Sequence, residues 1–464
     1  MRLKRGRGDR NIRFKPSDPL RVVYRLGQIR KMGRSRLPQD TRGPIRESSR
    51  AYEAAVLAML TLAYALNFLD RQIINILAES IKRDLQISDT QLGLLTGTAF
   101  GMFYSILGIP IARLADRTHR VRILSAALMV WSVFTGLCGL AASFTQLFIA
   151  RLGVGIGEAG GTPASQSLLS DYFPASRRAT ALAIFSMGLP IGTALGFVVG
   201  GYLDALVGWR HALAIAAIPG VLLALVILWF LREPHRGAAD GIDGTAMERP
   251  PFGPAIRELL RKRGLLYPVI GGSCAIFVNY VCNAWLPAFY IRLHGMDVGQ
   301  AGLWIGLCVM TGGSVGVLGG GILVDRCRPK MHSAEVIVPA VTTVIALIAL
   351  FGVLLAETTR TAIVWMFVFY TFITAWMGPT NAVVQRTAPI RSRSLATGLQ
   401  LLIGNIVSLA VGPALVGWLS DTFGRSHGVE GLRLALLCVP AAGLIGAGFY
   451  IAARRHLQAA PATA

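Results

Sequence analysis

Residues 55–78 read Ala-Val-Leu-Ala-Met-Leu-Thr-Leu-Ala-Tyr-Ala-Leu-Asn-Phe-Leu-Asp-Arg-Gln-Ile-Ile-Asn-Ile-Leu-Ala. A helix of about 20 apolar residues crosses the hydrocarbon core of a bilayer, and this run is long enough. Inside it Asp70 and Arg71 stand side by side. Insertion scales put an ionised side chain at the centre of a span at about 2.5–3.5 kcal/mol. Such residues therefore find a partner or a water-filled cavity and mark ion or substrate pathways.

Working outward, twelve apolar runs follow one another: 54–78, 91–112, 122–143, 146–169, 180–203, 211–231, 265–290, 300–323, 333–355, 361–384, 395–418 and 432–453. With 53% hydrophobic and 15% charged residues among 464, the composition falls in the membrane class. Most connections are short. The exception, Arg232 to Gly264, is polar and rich in Gly and Pro, and reads as a linker between two six-helix halves. The expected organisation is a basic tail (1–50), a first six-helix bundle (51–232), a linker (233–264), a second bundle (265–455) and a short tail (456–464).

Lysine and arginine orient the bundle. With the amino terminus inside, 37 of the 46 fall in inner loops and tails and 7 in outer loops, which places both termini in the cytoplasm. The other two, Arg71 and Arg151, lie deep in spans. Asp70 and Glu158 are the acids at similar depth, with Glu79 at the mouth of the first span. The first 50 residues hold 16 basic and 4 acidic residues, more than half of the net +22. They read as a disordered cytoplasmic tail near the membrane surface, or as an extension from an upstream start. They have neither the apolar core of a signal peptide nor a nucleic-acid-binding fold. Six cysteines place no pair in an outer loop and read as packing residues. No nucleophile, metal or nucleotide motif stands out, so no enzyme activity, metal or cofactor is expected.

At about 1.5 Å per residue, Asp70 lies about 24 Å above the inner end of the first span and Arg151 about 27 Å above that of the fourth. Glu158 is two turns further on, about 10 Å lower and on the face of Arg151. One reading gives Asp70 to Arg151 and leaves Glu158 in a less polar stretch. Asp70, Glu158, Arg71 and Arg151 are the proton-coupling candidates, with a static ion-pair network or direct anion binding by Arg71 or Arg151 as the alternatives.

An internal repeat sets the symmetry. Ala112-Arg-Leu-Ala-Asp116-Arg117-Thr-His-Arg120 follows the second span, and Gly321-Ile-Leu-Val-Asp325-Arg326-Cys-Arg328 follows the eighth. Parallel six-helix repeats are a secondary-transporter architecture with a binding site at mid-membrane. Asp116, Arg117, Arg120, Asp325 and Arg326 are gating candidates: the first loop is either a latch with Asp171, Arg391 and Arg393 at the inner ends of the fourth and eleventh spans or a solvated charge cluster at the membrane edge. Gly188, Gly192, Gly196 and Gly200 in the fifth span, and Gly312, Gly316 and Gly320 in the eighth, read as a sliding contact between halves or as ordinary tight packing. The second half has no buried charge. Its candidate cavity residues are Asn279, Tyr280, Asn283, Trp285, Tyr370, Thr374 and Asn381, with Tyr64 and Asn67 facing them from the first span.

The Asp-Arg loops and Arg151-Leu-Gly-Val-Gly-Ile-Gly-Glu158-Ala resemble motifs of the major facilitator superfamily, although Ala112 and His119 stand where its loop has Gly. Asn67-Phe-Leu-Asp-Arg-Gln, Ser88-Asp-Thr-Gln-Leu-Gly-Leu-Leu, Ser170-Asp-Tyr-Phe-Pro, Trp285-Leu-Pro-Ala-Phe and Arg292-Leu-His-Gly narrow the resemblance to the Spinster lipid transporters, in a bacterial version. The resemblance implies an all-α fold of twelve transmembrane helices in two pseudo-symmetric bundles, acting by alternating access. It also implies a lysophospholipid or sphingolipid-type substrate, proton coupling through Asp70, Arg71 and Glu158, and gating at Asp116 and Arg117. The expected protein is a monomer of the bacterial inner membrane, whose partners are an amphiphilic substrate, protons and membrane lipids and not nucleic acid. A proton-coupled symporter of small organic anions, or a drug efflux antiporter, is the alternative.

Overall fold

The computed structural model describes residues 49–235, 252–331, 333–389 and 392–457. Of the expected tails and linker, residues 1–48, 236–251 and 458–464 lie outside the described residues.

Among the described residues all elements are helices, arranged as twelve spans. α1 is Arg50–Ile76, continued by Ala78–Leu85; α2 is Asp89–Gly93, a π-helical turn Leu94–Thr98 and Ala99–Arg117. α3 is Arg120–Cys138 and α4 is Phe144–Glu158 followed by Gly161–Tyr172. α5 begins with Ala175–Ser186 and enters Gly188–Phe230, which is kinked at Gly208 and continues as α6. Gly208 takes φ 79°, a left-handed value that favours a residue without Cβ. A short helix, Phe252–Arg261, precedes α7 (Arg263–His294), α8 (Val298–Cys327) and α9 (Ala334–Leu354). α10 is Thr359–Ile373 and Met377–Thr387. α11 is Arg393–Asn405, a π turn Ile406–Val411 and Gly412–His427, and α12 is Glu430–Leu437 and Val439–Leu457.

Side-chain caps start several helices. Ser88 and Gln91 form a reciprocal capping box on α2, while Asp297 and Thr358 accept from the first turns of α8 and α10. Nine described segments are long and apolar enough to cross a membrane, and the one at Ser176–Phe230 contains both α5 and α6. α2 and α4 complete the twelve. Neither of these two meets the same length and apolarity. Large apolar side chains such as Trp229, Phe230, Leu318 and Val364 are exposed, as a surface solvated by lipid requires.

The α2/α3, α4/α5, α8/α9 and α10/α11 turns share one face with the start of α7 and the end of α12; this is called the basic face. The α1/α2, α3/α4, α5/α6, α7/α8, α9/α10 and α11/α12 connections form the opposite face.

The glycine stripes serve tight packing within each bundle and not the sliding contact between halves. A Cβ on Gly192 would meet the Ala65 carbonyl oxygen at 2.0 Å, and one on Gly196 would meet that of Leu69 at 2.8 Å, so the α5 stripe seats α1 within the first bundle. Likewise Gly316 and Gly320 face Thr371 and Ala375 of α10 within the second bundle. α5 and α8 do meet across the bundles, through other glycines. A Cβ on Gly302 would lie 2.3 Å from the Phe197 carbonyl oxygen, and one on Gly201 would lie 2.7 Å from that of Val298. The reason is angular: at about 100° per residue, Gly201 is a third of a turn from Gly200, and Gly306 is a third of a turn from Gly312. Each helix thus carries one small-residue face for its own bundle and another for its partner.

Candidate functional site

The buried charges converge because α4 is stripped of side chains where its neighbours press on it. A Cβ on Gly153 would meet the Phe134 ring at 2.2 Å, on Gly155 the Phe100 carbonyl oxygen at 2.7 Å, and on Gly157 the Trp131 amide nitrogen at 2.6 Å. With α2 and α3 that close, Glu158 at the end of the first α4 segment comes within reach of α1.

There Arg71 Nη2 donates to Glu158 Oε2 at 2.8 Å, and Asn67 Oδ1, one turn away on α1, is 3.4 Å from the same nitrogen. The guanidinium sits among three rings, 4.8 Å from Phe68, 4.6 Å from Phe100 and 4.7 Å from Tyr104. Its Nη1 donates across to the second bundle, to the Tyr280 hydroxyl at 3.3 Å. Arg71 is 5% exposed and Glu158 fully buried, so the pair lies in a medium where losing either partner is costly.

The depth argument set Asp70 opposite Arg151, and the two do face each other, but it left Glu158 in a less polar stretch, whereas Glu158 is held by Arg71. Rise per residue locates a Cα, whereas an arginine side chain spans more than a helical turn, and the aromatic cage fixes which way Arg71 extends. Asp70, on a different side of α1, faces Arg151, Trp131 and Thr135. No hydrogen-bond partner is present for Asp70 Oδ1, Arg151 Nε or Arg151 Nη2 among the described residues.

At the corresponding place in the second bundle the polar groups are neutral. Tyr370 OH donates to Asn283 Oδ1 at 2.9 Å, and Asn283 Nδ2 to Asn279 Oδ1 at 3.0 Å. Of the substrate-binding candidates, Asn67 and Tyr280 meet at Arg71. Tyr64 stacks on Phe185 of α5 with centroids 4.4 Å apart, and lines a small cavity with Asn67, Trp131 and Ser165. Asn279 and Tyr280 are half-buried. Trp285 and Thr374 serve packing: Trp285 Nε1 donates to the Pro413 carbonyl of α11 at 3.0 Å, and Thr374 Oγ1 to the Gly313 carbonyl of α8 at 3.0 Å. Asn381 is exposed and accepts from Gln400 at 3.0 Å.

The gating candidates divide. Asp116 and Arg117 end α2, with side chains outside the described residues, as are Arg391 and the Arg393 side chain. Arg120, 1% exposed, is held inside the first bundle by Asp171, by Glu233 Oε1 at 2.7 Å and by the Pro234 carbonyl at 2.9 Å. Glu233 Oε2 also accepts from the Val121 amide at 2.9 Å, so it caps α3 as well. The second bundle has the same clasp with the charges reversed, Glu335 Oε1 accepting from Arg328 and Arg386 at 2.8 and 3.1 Å, while Asp325 and Arg326 are exposed.

Sequence reasoning missed a lock between the bundles on the opposite face. Arg292, at the end of α7, donates from Nε to Glu79 Oε1 of α1 and from Nη1 and Nη2 to both oxygens of Asp89 of α2, each at 2.7 Å. Lys82 and Ser420 also bind Asp89. Asp421 of α11 accepts from the Asp89 and Thr90 amides at 3.0 and 2.8 Å, so an acid of the second bundle caps a helix of the first. Close approach is again made by small residues: a Cβ on Gly93 would meet the Pro413 carbonyl oxygen at 2.3 Å, and one on Gly417 would meet that of Asp89 at 2.2 Å. Burial raises the Asp89 carboxyl, but the hydrogen bond and charge of Arg292, with Lys82 and Ser420, outweigh it and hold its pKa at about 2. The signals were present: the acids at the mouths of two spans, and Gly93, Gly97 and Gly101 at four-residue steps.

Comparison with known proteins accords with this architecture. The sequence model described as Major Facilitator Superfamily matches residues 60–413. An MFS-type efflux pump of Mycolicibacterium smegmatis is 32% identical over 406 residues, which cover 87% of this chain and 93% of the relative. The sphingosine-1-phosphate transporter SPNS2 of Danio rerio is 25% identical over 417 residues, covering 85% and 82%. The crystal structure of a bacterial homologue of the human lysosomal transporter Spinster, inward-facing and unoccupied, superposes with a TM-score of 0.81 at 31% identity, covering 89% of this chain and 100% of that one.

Proposed function

The chain belongs to the Major Facilitator Superfamily, and from that premise we propose that it is a proton-coupled secondary transporter of an amphiphilic, lipid-like substrate working by alternating access. It is a multi-pass membrane transporter related to Spinster proteins; the substrate class and the coupling ion are the proposal.

One observation carries the coupling. A single guanidinium holds the buried Glu158 with one nitrogen and reaches Tyr280 of the other bundle with the other. Protonating Glu158 removes the negative partner of Arg71 and changes the balance between its contacts in the two bundles. A proton thereby acts on the bundle arrangement through differential affinity for two states. Asp70 and Arg151, facing each other beside this pair, are assigned to the same proton site. Asp116 and Arg117, with Asp325 and Arg326 in the repeat, are assigned to a latch on the basic face that alternates with the Arg292 lock on the opposite face.

The lipid-like substrate is supported by the Spinster relatives and by the juxtaposition of a charged wall (Arg71, Asn67, Tyr64) with an amide and phenol wall (Asn279, Tyr280, Asn283). The lysine and arginine bias makes the basic face cytoplasmic, in a bacterial inner membrane. The bundles take the boundaries 51–232 and 265–455, and the working unit is a monomer.

The test is uptake into proteoliposomes with and without an imposed pH gradient, comparing a fluorescent lysophospholipid, a sugar diacid and a cationic dye. The reading expects lysophospholipid flux to follow the gradient in the wild type and to lose at least tenfold of that response in Glu158→Gln. Gradient-driven flux of only the diacid or the dye would overturn the substrate class. Equal gradient responses in wild type and Glu158→Gln would overturn the coupling site.

A further inference from the structure

We propose that the short helix Phe252–Arg261, with the adjoining first turn of α7 and last turn of α12, is a binding surface for the headgroup of an anionic membrane phospholipid. The inference concerns a surface away from the transport site and goes beyond the transport reading.

The helix is two-faced. Leu259 is fully buried and packs with Leu265, Val269, Val384, Ala388 and Ala396, so one side is fixed to the ends of α7, α10 and α11. On the other side Arg257, Glu258 and Arg261 are exposed. With Gly253, Pro254 and Lys262 these three residues line a concave surface. The small residues leave its floor open, and two arginines stand on its rim. Glu258 is matched by Lys262 at 3.0 Å, which leaves the arginine charge as the net charge of the hollow.

The surface continues beyond the helix. Arg263, exposed, begins α7, and a Cβ on Gly264 would sit 3.6 Å from the His456 carbonyl oxygen. The last turn of α12, with exposed Arg454 and Arg455, therefore runs alongside. α7 is one of the segments long and apolar enough to cross a membrane, so the five arginines flank the end of a span, and Leu260, 42% exposed, stands beside them. An apolar residue at the acyl boundary with guanidinium groups at phosphate level is the arrangement that retains an anionic lipid. Guanidinium groups pair bidentately with phosphate oxygens.

The experiment uses the full chain in nanodiscs of phosphatidylcholine containing a minority of spin-labelled phosphatidylglycerol, and measures the fraction of label immobilised by the protein. One cation near an anionic surface contributes about fivefold in lipid partitioning. The Arg257→Gln/Arg261→Gln/Arg263→Gln variant should therefore lose at least tenfold in phosphatidylglycerol preference over phosphatidylcholine, and the wild type should lose the same preference at high salt. Arg360→Gln/Arg425→Gln, exposed on the opposite face, should retain it. Unchanged preference in the triple variant, or an equal loss in the opposite-face variant, would overturn the proposal. A monodisperse gel-filtration profile confirms that each variant is folded. The readout does not depend on transport, so it can succeed or fail independently of the proposed function.

Discussion

The two bundles share a topology and differ in what they bury at mid-span. The first places Arg71 on Glu158, with Asp70 and Arg151 alongside; the second places Tyr370 on Asn283 and Asn283 on Asn279. An ionic pair in hydrocarbon depends on the charge state of both members, whereas an amide and phenol chain does not titrate over the physiological range. One repeat therefore buries a pair whose charges can titrate, and the other a polar chain that keeps its charge state. Tyr280 is where the two meet.

The largest effect should come from breaking the ionic side. Arg71→Leu leaves Glu158 buried without its cation and should cost about 3–5 kcal/mol, read as thermal unfolding in detergent. Adding Glu158→Leu should restore most of that loss. If Arg71→Leu were no worse than Asn283→Leu, the contrast between bundles would fail.

The opposite-face lock comes next. Asp89 is held at about 2 against an ordinary 3.8. A depressed carboxylate contributes stability that is present above its unfolded value and lost as pH falls through its folded one. The lock should thus be intact at neutral pH and weaken between about pH 4 and pH 2, by roughly 2 kcal/mol in all. Spin-label distances between α2 and α11 across this range check it, and opening near neutral pH would show that another group releases the face.

On the neutral side, Tyr370→Phe removes one hydrogen bond and should cost about 1 kcal/mol, leaving the pH response of flux unchanged. A flattened pH response in this variant would place part of the coupling in the second bundle. Smallest of all, Asp325→Asn on an exposed loop should change thermal stability by no more than about 0.5 kcal/mol.

The spans and the charged core were legible in the sequence because an ionisable residue inside an apolar run is expensive, and few were present. The pairing of Arg71 with Glu158 was not, because it depends on side-chain reach and on which glycines let α4 approach, and neither follows from rise per residue. The glycine stripes announced close packing without naming the partner. Spacing fixes a face of a helix, and only tertiary structure decides that Gly192 meets Ala65 while Gly302 meets Phe197. Glu233 and Asp421 escaped notice because each caps a helix distant in sequence, and a single acid at a span end has no local signature.

The cap that Asp421 places on α2 has a consequence for how the molecule is watched. Once the bundles part on that face, the amides of Asp89 and Thr90 lose their carboxylate acceptor and turn to solvent. These two backbone protons are a built-in gauge: their exchange with deuterated water runs only while the face is open, so their protection measures the share of time the face is closed without any label.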